Sequence, residues 1–222
     1  MGCVSARENL PKEEEAILLM ESQLEFFKNN CVFVDGIIRK YSQNNEINES
    51  QWKDICEHLE IKVHNTSMCP LVENFYNSMK SNGLFYTKDL LLVGILLSNG
   101  MSRQKARLIF ETFDSLCTGK LEKEDLGKML DEIYKVSVLA LPSLVNNSTN
   151  PPISHRKIKK YMKMLESQFP EAKSLLIKII LEENDNISVR EFAKIFDNEE
   201  NGRLLTPYGF RSFVDRLGFN KG

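Results

Sequence analysis

Residues 105–133 read KARLIFETFDSLCTGKLEKEDLGKMLDEI. A helical pattern ends in Phe110 and Phe113, twelve residues run from Asp114 to Asp125, and a second helical pattern opens with Leu126, Met129 and Leu130. Gly119 is sixth in the twelve and Leu121 eighth. The same glycine-then-apolar signature stands 36 residues earlier as Gly83 and Phe85 in SMKSNGLFYTKD, followed by the apolar run Leu90 to Leu97. Ile47 with Trp52 in SQNNEINESQW and Ile187 with Phe192 in EENDNISVREF give two weaker copies. A fifth candidate, Asp197–Tyr208 (DNEENGRLLTPY), follows the fourth too closely to have a preceding helix of its own.

Helical periodicity extends outward over about 12–29, 32–41, 50–59, 68–80, 87–98, 102–113, 122–136, 154–168, 170–182, 188–196 and 207–217. Strand-like alternation is nearly absent. Pro142–Pro152, containing LVNNSTNPP, reads as a mobile linker or insertion. With 222 residues and 42% of them hydrophobic, the chain closes a core. Its 29 basic and 31 acidic residues leave a net charge of −2, which supplies no field for nucleic acid. Leu90–Leu97 is far short of the roughly 18 apolar residues of a membrane span and reads as a buried helix.

The twelve-residue stretch resembles the loop of an EF-hand, in which the sixth residue makes a sharp turn and the eighth joins a paired loop through a short strand. DLLLVGILLSNGMSRQKARLIFETFDS, continuing to EIYKVS, is similar to the middle of neuronal calcium sensor and calcineurin B-like proteins. The resemblance spans about residues 30–200 and is most specific between about 83 and 137. It implies an all-α fold of two EF-hand pairs with short two-stranded ribbons, Ile47 pairing Phe85 and Leu121 pairing Ile187. Residues 12–100 would form an N-terminal lobe, and 101–222 a C-terminal lobe with an insertion near 142–165 and a closing helix.

Calcium takes its oxygens from loop places one, three, five, seven, nine and twelve, with a bidentate Glu last. The third loop offers Asp114, Thr118, the carbonyl of Lys120, Glu122 and Asp125, with Leu116 in the third place. The expectation is calcium-free hands, with at least one weak calcium site as the alternative and no other cofactor. Lys80 in 78–89 faces any cation with its own charge, and 40–51 is one or two residues short, with Lys40 first and Gln51 last. In the fourth loop Glu191 is correctly last and Glu182, Asn184 and Ser188 can contribute, but Ile180 leads. The fifth begins with Asp197, Glu199, Asn201 and Gly202 and ends with Leu205 and Tyr208.

The opening Met1-Gly2-Cys3-Val4-Ser5-Ala6-Arg7 fits myristoylation of Gly2, with Cys3 as a palmitate acceptor for the second anchor, so residues 1–11 are expected to form a lipidated segment. His155–Lys163 puts Ile158, Tyr161, Met162 and Leu165 on one helical face among five cations. That face packs on the protein's own core, lies on an anionic membrane, or meets an acidic partner. The five cysteines, odd in number and without a CxxC, read as reduced thiols, and His58, His64 and His155 give no catalytic arrangement with Cys56, Cys69 or Cys117. The expectation is a non-enzymatic adaptor or regulatory subunit at the cytosolic face of a membrane, holding an amphipathic helix of a protein partner. Its rivals are a calcium sensor with a lipid switch and a structural component of a cytoskeletal or ciliary assembly.

Overall fold

A computed structural model describes residues 10–62 and 69–219, so Gly2, Cys3 and His64 lie outside the described residues. Among the described residues the chain is mostly helical, with two small antiparallel sheets. After α1 (Lys12–Glu21), the first half runs α2 (Cys31–Tyr41), β1 (Glu46–Ile47), α3 (Glu49–His58), α4 (Cys69–Ser78), β2 (Lys80–Ser81), β3 (Leu84–Tyr86) and α5 (Thr87–Leu97). The second half runs α6 (Ser102–Phe113), β4 (Lys120–Glu122), α7 (Lys123–Tyr134), α8 (Leu141–Asn147), α9 (His155–Leu181), β5 (Asn186–Ser188), α10 (Val189–Ile195), α11 (Glu199–Gly202) and α12 (Pro207–Phe219).

Each half brings two helix–loop–helix units together through their loops. Ile47 faces Phe85 in a three-stranded sheet ordered β1-β3-β2, and Leu121 faces Ile187 in the β4–β5 ribbon. All four residues are buried, as expected where two apolar residues close a ribbon over a core. Behind the first sheet Trp52 lies 4.7 Å from Tyr76 and 5.1 Å from Phe85, ring centre to ring centre. Behind the second, Phe192 lies 5.6 Å from Phe110 and 4.8 Å from Phe196. These aromatic groups explain why Trp52 and Phe192 stand five residues after Ile47 and Ile187: each helix must turn one large ring back under its own ribbon.

The halves share one continuous core. The Lys105 ammonium, buried in α6, donates to the carbonyl of Leu96 at 2.9 Å, joining α6 to the end of α5. Burial pushes its pKa down to about 8. Cys31 N–H donates to Asn99 O at 2.7 Å and Asn99 N–H to Asn29 O at 2.9 Å, a parallel bridge beside the same junction.

Several expectations change. The pattern at 12–29 is helical only to Glu21, followed by two 3₁₀ turns separated by Glu25 at φ 62°. Apolar residues at 17, 18, 24, 26 and 27 cannot share one helical stripe, and the turn lets Leu24 and Phe26 enter the core while Phe27 stays outside. Pro142 does not start a mobile linker. It occupies the first turn of α8, where a missing N–H is harmless, and Leu141, Leu144 and Val145 are buried. The link from α7 into α8 is a π-helical turn, Lys135–Ala140. The helices expected at 154–168 and 170–182 are one 27-residue helix continuing through Pro170. Proline there loses a backbone bond, but its neighbour Phe169 stacks on Tyr134 with centres 4.0 Å apart, and Leu165, Ala172 and Leu176 are buried on the same side. The stretch 197–208 is no loop: it forms α11 and a 3₁₀ turn before α12.

α1, placed by sequence with the N-terminal lobe, packs instead on α8 and α9 of the second half. Its Glu14 and Glu21 are buried, and both meet Arg211 of α12, which is 0% exposed. Arg211 donates from Nε and Nη2 to Glu14 at 2.8 Å each, and from Nη1 to Glu21 Oε1 at 2.7 Å and Ser137 O at 2.9 Å. Tyr161 of α9 donates to Glu14 Oε1 at 2.6 Å. Burial raises the Glu21 carboxyl, against the pull of Arg211. Arg211 loses some of its charge preference to burial, but the two carboxylates outweigh that and hold it above its ordinary value.

Replacing Arg211 by Ala leaves two buried carboxylates without a counter-charge and is expected to cost about 3–5 kcal/mol in urea unfolding. Arg211→Lys restores only part of this, because a point charge cannot reproduce the forked contacts. Lys105 gives a pH signature. Its folded pKa lies below the unfolded value, so the unfolded chain binds the extra proton between about 8 and the ordinary lysine range, and stability contributed by this group rises with pH across that window. Wild type should gain about 2–3 kcal/mol relative to Lys105→Met between pH 7 and 10.5, read by parallel urea titrations.

Candidate functional site

The loops that join the helix pairs hold the residues singled out as cation ligands. Asp114 ends α6, and its carboxylate turns back onto its own loop. Oδ1 accepts from the N–H of Thr118 at 2.8 Å and Oδ2 from the N–H of Gly119 at 2.7 Å. The Thr118 hydroxyl lies 3.1 Å from Asp114 Oδ1 and 3.0 Å from the Lys120 carbonyl. Slight desolvation tends to raise the Asp114 carboxyl, but the Thr118 and Gly119 donors outweigh it and hold the group below its ordinary value. Gly119 at φ 71° makes the turn that brings these N–H groups round, and Cys117 shares the left-handed region at φ 52°. Leu116, in the third place, is 83% exposed and offers no oxygen.

At the far end of this loop the backbone N–H of Glu122 lies 3.4 Å from Asp125 Oδ2. Asp125 therefore faces the start of α7. The same use of the twelfth place recurs. Gln51 Oε1 accepts from Asn48 N–H at 2.7 Å, while Asn48 Oδ1 accepts from Gln51 N–H at 3.0 Å. Glu191 Oε2 accepts from the Ser188 N–H at 3.0 Å and hydroxyl at 2.6 Å, and those bonds hold its carboxyl below the ordinary value. Three of the loops thus close their following helix with the side chain that a cation would need.

The loop at 78–89 departs further. Lys80 and Ser81 pair back on Phe85 and Leu84 across a two-residue turn, Asn82 at φ 52° and Gly83 at φ 78°. The Lys80 ammonium pairs with Glu49 of the first loop, donates to Asn77 Oδ1 at 2.7 Å, and sits 5.0 Å from the Phe85 ring centre. A side-chain cation stands inside the first pair of units. The loop at 40–51 closes similarly through Gln43 and Glu46, with Asn44 and Asn45 both at positive φ. In the fourth loop, Glu182, Asn184, Ser188 and Glu191 line a cleft of about 750 Å³ with Lys120 and Lys194. The Asn184 amide bonds Leu181 O at the end of α9. Among the described residues no three His, Cys, Asp or Glu side chains converge as a metal cage. In the third loop Asp114 and Thr118 are held by bonds within the loop, and Asp125 accepts from the Glu122 N–H.

A cleft of about 630 Å³ separates the two sets of loops, with Lys88, Asp89, Asp114, Asp125 and Lys128 on its walls. Lys88 Nζ lies 3.7 Å from the Phe113 ring centre, and burial lowers its pKa. With Arg39 and Glu111 also on the walls, three cations stand against four carboxylates.

Three thiols are described, Cys31, Cys56 and Cys117. Burial raises Cys31, and burial with the nearby Glu49 pushes Cys56 up to about 12, the reverse of what a reactive thiolate requires. Cys117 is exposed on the third loop. His58 bonds the carbonyl of Asp54 at 2.9 Å, and His155 is exposed at the head of α9.

Sequence reasoning missed one surface. The segments tied by the Asn30–Asn99 bridge carry Phe27, Val32, Phe33 and Met101, all exposed, Met101 to 67%. Its signal was present as apolar residues beyond the stripe that α2 needs for its core face. On the basic helix, Ile158 and Leu165 are buried and Tyr161 reaches Glu14, while Arg156, Lys157, Lys159, Lys160 and Lys163 are exposed.

No protein-family model, curated protein or solved structure matches this chain. Function is therefore argued from the geometry alone. If Asp114 serves its own loop, Asp114→Ala should lower stability by about 1 kcal/mol through the lost turn bonds. The loss should be equal in calcium and in chelator, measured by thermal unfolding of wild type and variant in both buffers.

Proposed function

We propose that the chain is a degenerate EF-hand protein of two pairs, related in design to neuronal calcium sensor and calcineurin B-like proteins, that works as an adaptor or regulatory subunit with calcium binding weak or lost. The observation that carries this reading is the loop pairing, Ile47 opposite Phe85 and Leu121 opposite Ile187. Ribbons of this kind fix two helix–loop–helix units to each other whether or not an ion is present. Asp114, Gln51 and Glu191 support the ion-free reading, since each is held by neighbouring donors. The scaffold then has no local need of a cation.

The partner is an amphipathic helix of another protein. Phe27, Val32, Phe33 and Met101 offer apolar contact at the junction of the halves, where the Asn30–Asn99 bridge fixes the backbone. Gly2 and Cys3 would hold the chain at the cytosolic face of a membrane through myristate and palmitate, two anchors where one alone binds marginally.

Co-purification of the acylated full chain from membranes tests both parts. Phe33→Asp with Met101→Asp should lower recovery of a partner about tenfold or more while leaving membrane attachment intact, and Gly2→Ala should do the opposite. Amide spectra of the isotope-labelled chain should be unchanged by micromolar calcium. A saturating conformational change at that level would instead establish the calcium sensor.

A further inference from the structure

We infer that the outer face of α9 is a docking surface for an anionic lipid bilayer, additional to the N-terminal acyl group of the proposed function. From His155 to Lys163 the helix carries five cations and no acid. At 3.6 residues per turn, Arg156, Lys160 and Lys163 fall opposite the buried Ile158 and Leu165, with Lys157 and Lys159 on the flanks. All five are exposed, and none forms an ion pair among the described residues. Several other exposed cations do pair along their own helices: Arg107 with Glu111, Lys128 with Glu124, Lys135 with Glu132 and Arg203 with Glu199. The fold gains nothing from the concentration, because cations in the opening turns of a helix oppose its dipole.

Charge selects the occupant. Arg156, Lys160 and Lys163 share one exposed face with no acid between His155 and Lys163, the complement of an anionic surface. Shape agrees: the clefts near the loops include none of the five, and a helix face without a recess suits a broad charged surface better than a peptide. Phosphatidylserine-rich leaflets supply that surface, and each Lys or Arg near it adds to the attraction until salt screens it.

This inference rests on the membrane part of the proposed function, and the experiment separates the two. The full chain, acylated or as Gly2→Ala, is sedimented with phosphatidylcholine vesicles carrying or lacking phosphatidylserine. Both forms should prefer the anionic vesicles, with the preference falling as salt rises. Arg156→Gln with Lys160→Gln and Lys163→Gln should lower that partition about tenfold or more, and Lys160→Arg with Lys163→Arg should keep it. Equal partition of wild type and the neutralised variant overturns the inference, as does a polyglutamate peptide that binds the chain as tightly as the vesicles and displaces it from them. Acylated and Gly2→Ala chains binding alike would sink the acyl reading while leaving the charge preference of α9 standing.

Discussion

A guanidinium sealed from water holds the two ends of this chain together. Arg211 of α12 meets Glu14 and Glu21 of α1 and the Ser137 carbonyl of the π-helical turn, and Tyr161 of α9 completes the group through Glu14. Removing these charges from water is costly, and only the dense set of forked contacts offsets it. The geometry is correspondingly restrictive: α1, α9, α12 and the turn at 135–140 must all be in place for any one of them to be satisfied. This explains why α1 leaves the half that follows it in sequence and packs on the other. It also gives the π turn a reason, since it presents Ser137 O toward Arg211.

The loops obey a different economy of contacts. A twelve-residue turn with several acids concentrates negative charge unless a cation or local donors balance it. Here the donors are local. Asp114 takes the N–H groups of Thr118 and Gly119, Glu191 takes Ser188, and Lys80 brings an ammonium to Glu49. The ribbons bury Ile47, Phe85, Leu121 and Ile187, so apolar burial contributes to each pairing beside the local polar bonds.

The repeat was the most legible part of the sequence. A residue eight places into each loop must be apolar if it closes a ribbon, so Ile47, Phe85, Leu121 and Ile187 could be aligned, and they pair as aligned. Helix limits followed from periodicity except where tertiary contacts override local rules. Pro142 and Pro170 both look like breakers, yet one sits in a permissive first turn and the other is held by Phe169 stacked on Tyr134. The Arg211 group was not legible, because nothing local distinguishes Glu14 from Glu13 and Glu15. Of the candidate site, the residues were identifiable but not their partners: that Asp125 and Glu191 close helices follows from a backbone geometry that composition does not carry.

The contact between residues 14 and 211 spans 197 positions of the chain. During synthesis at roughly 5–20 residues per second, α1 would wait on the order of 10–40 s for its counter-ion to emerge. Until then its two inner glutamates have no reason to leave water, and the docking face of α1 has no counter-charge to meet. Emergence of α12 ends that interval, so the order of translation itself sets when Glu14 and Glu21 can be buried.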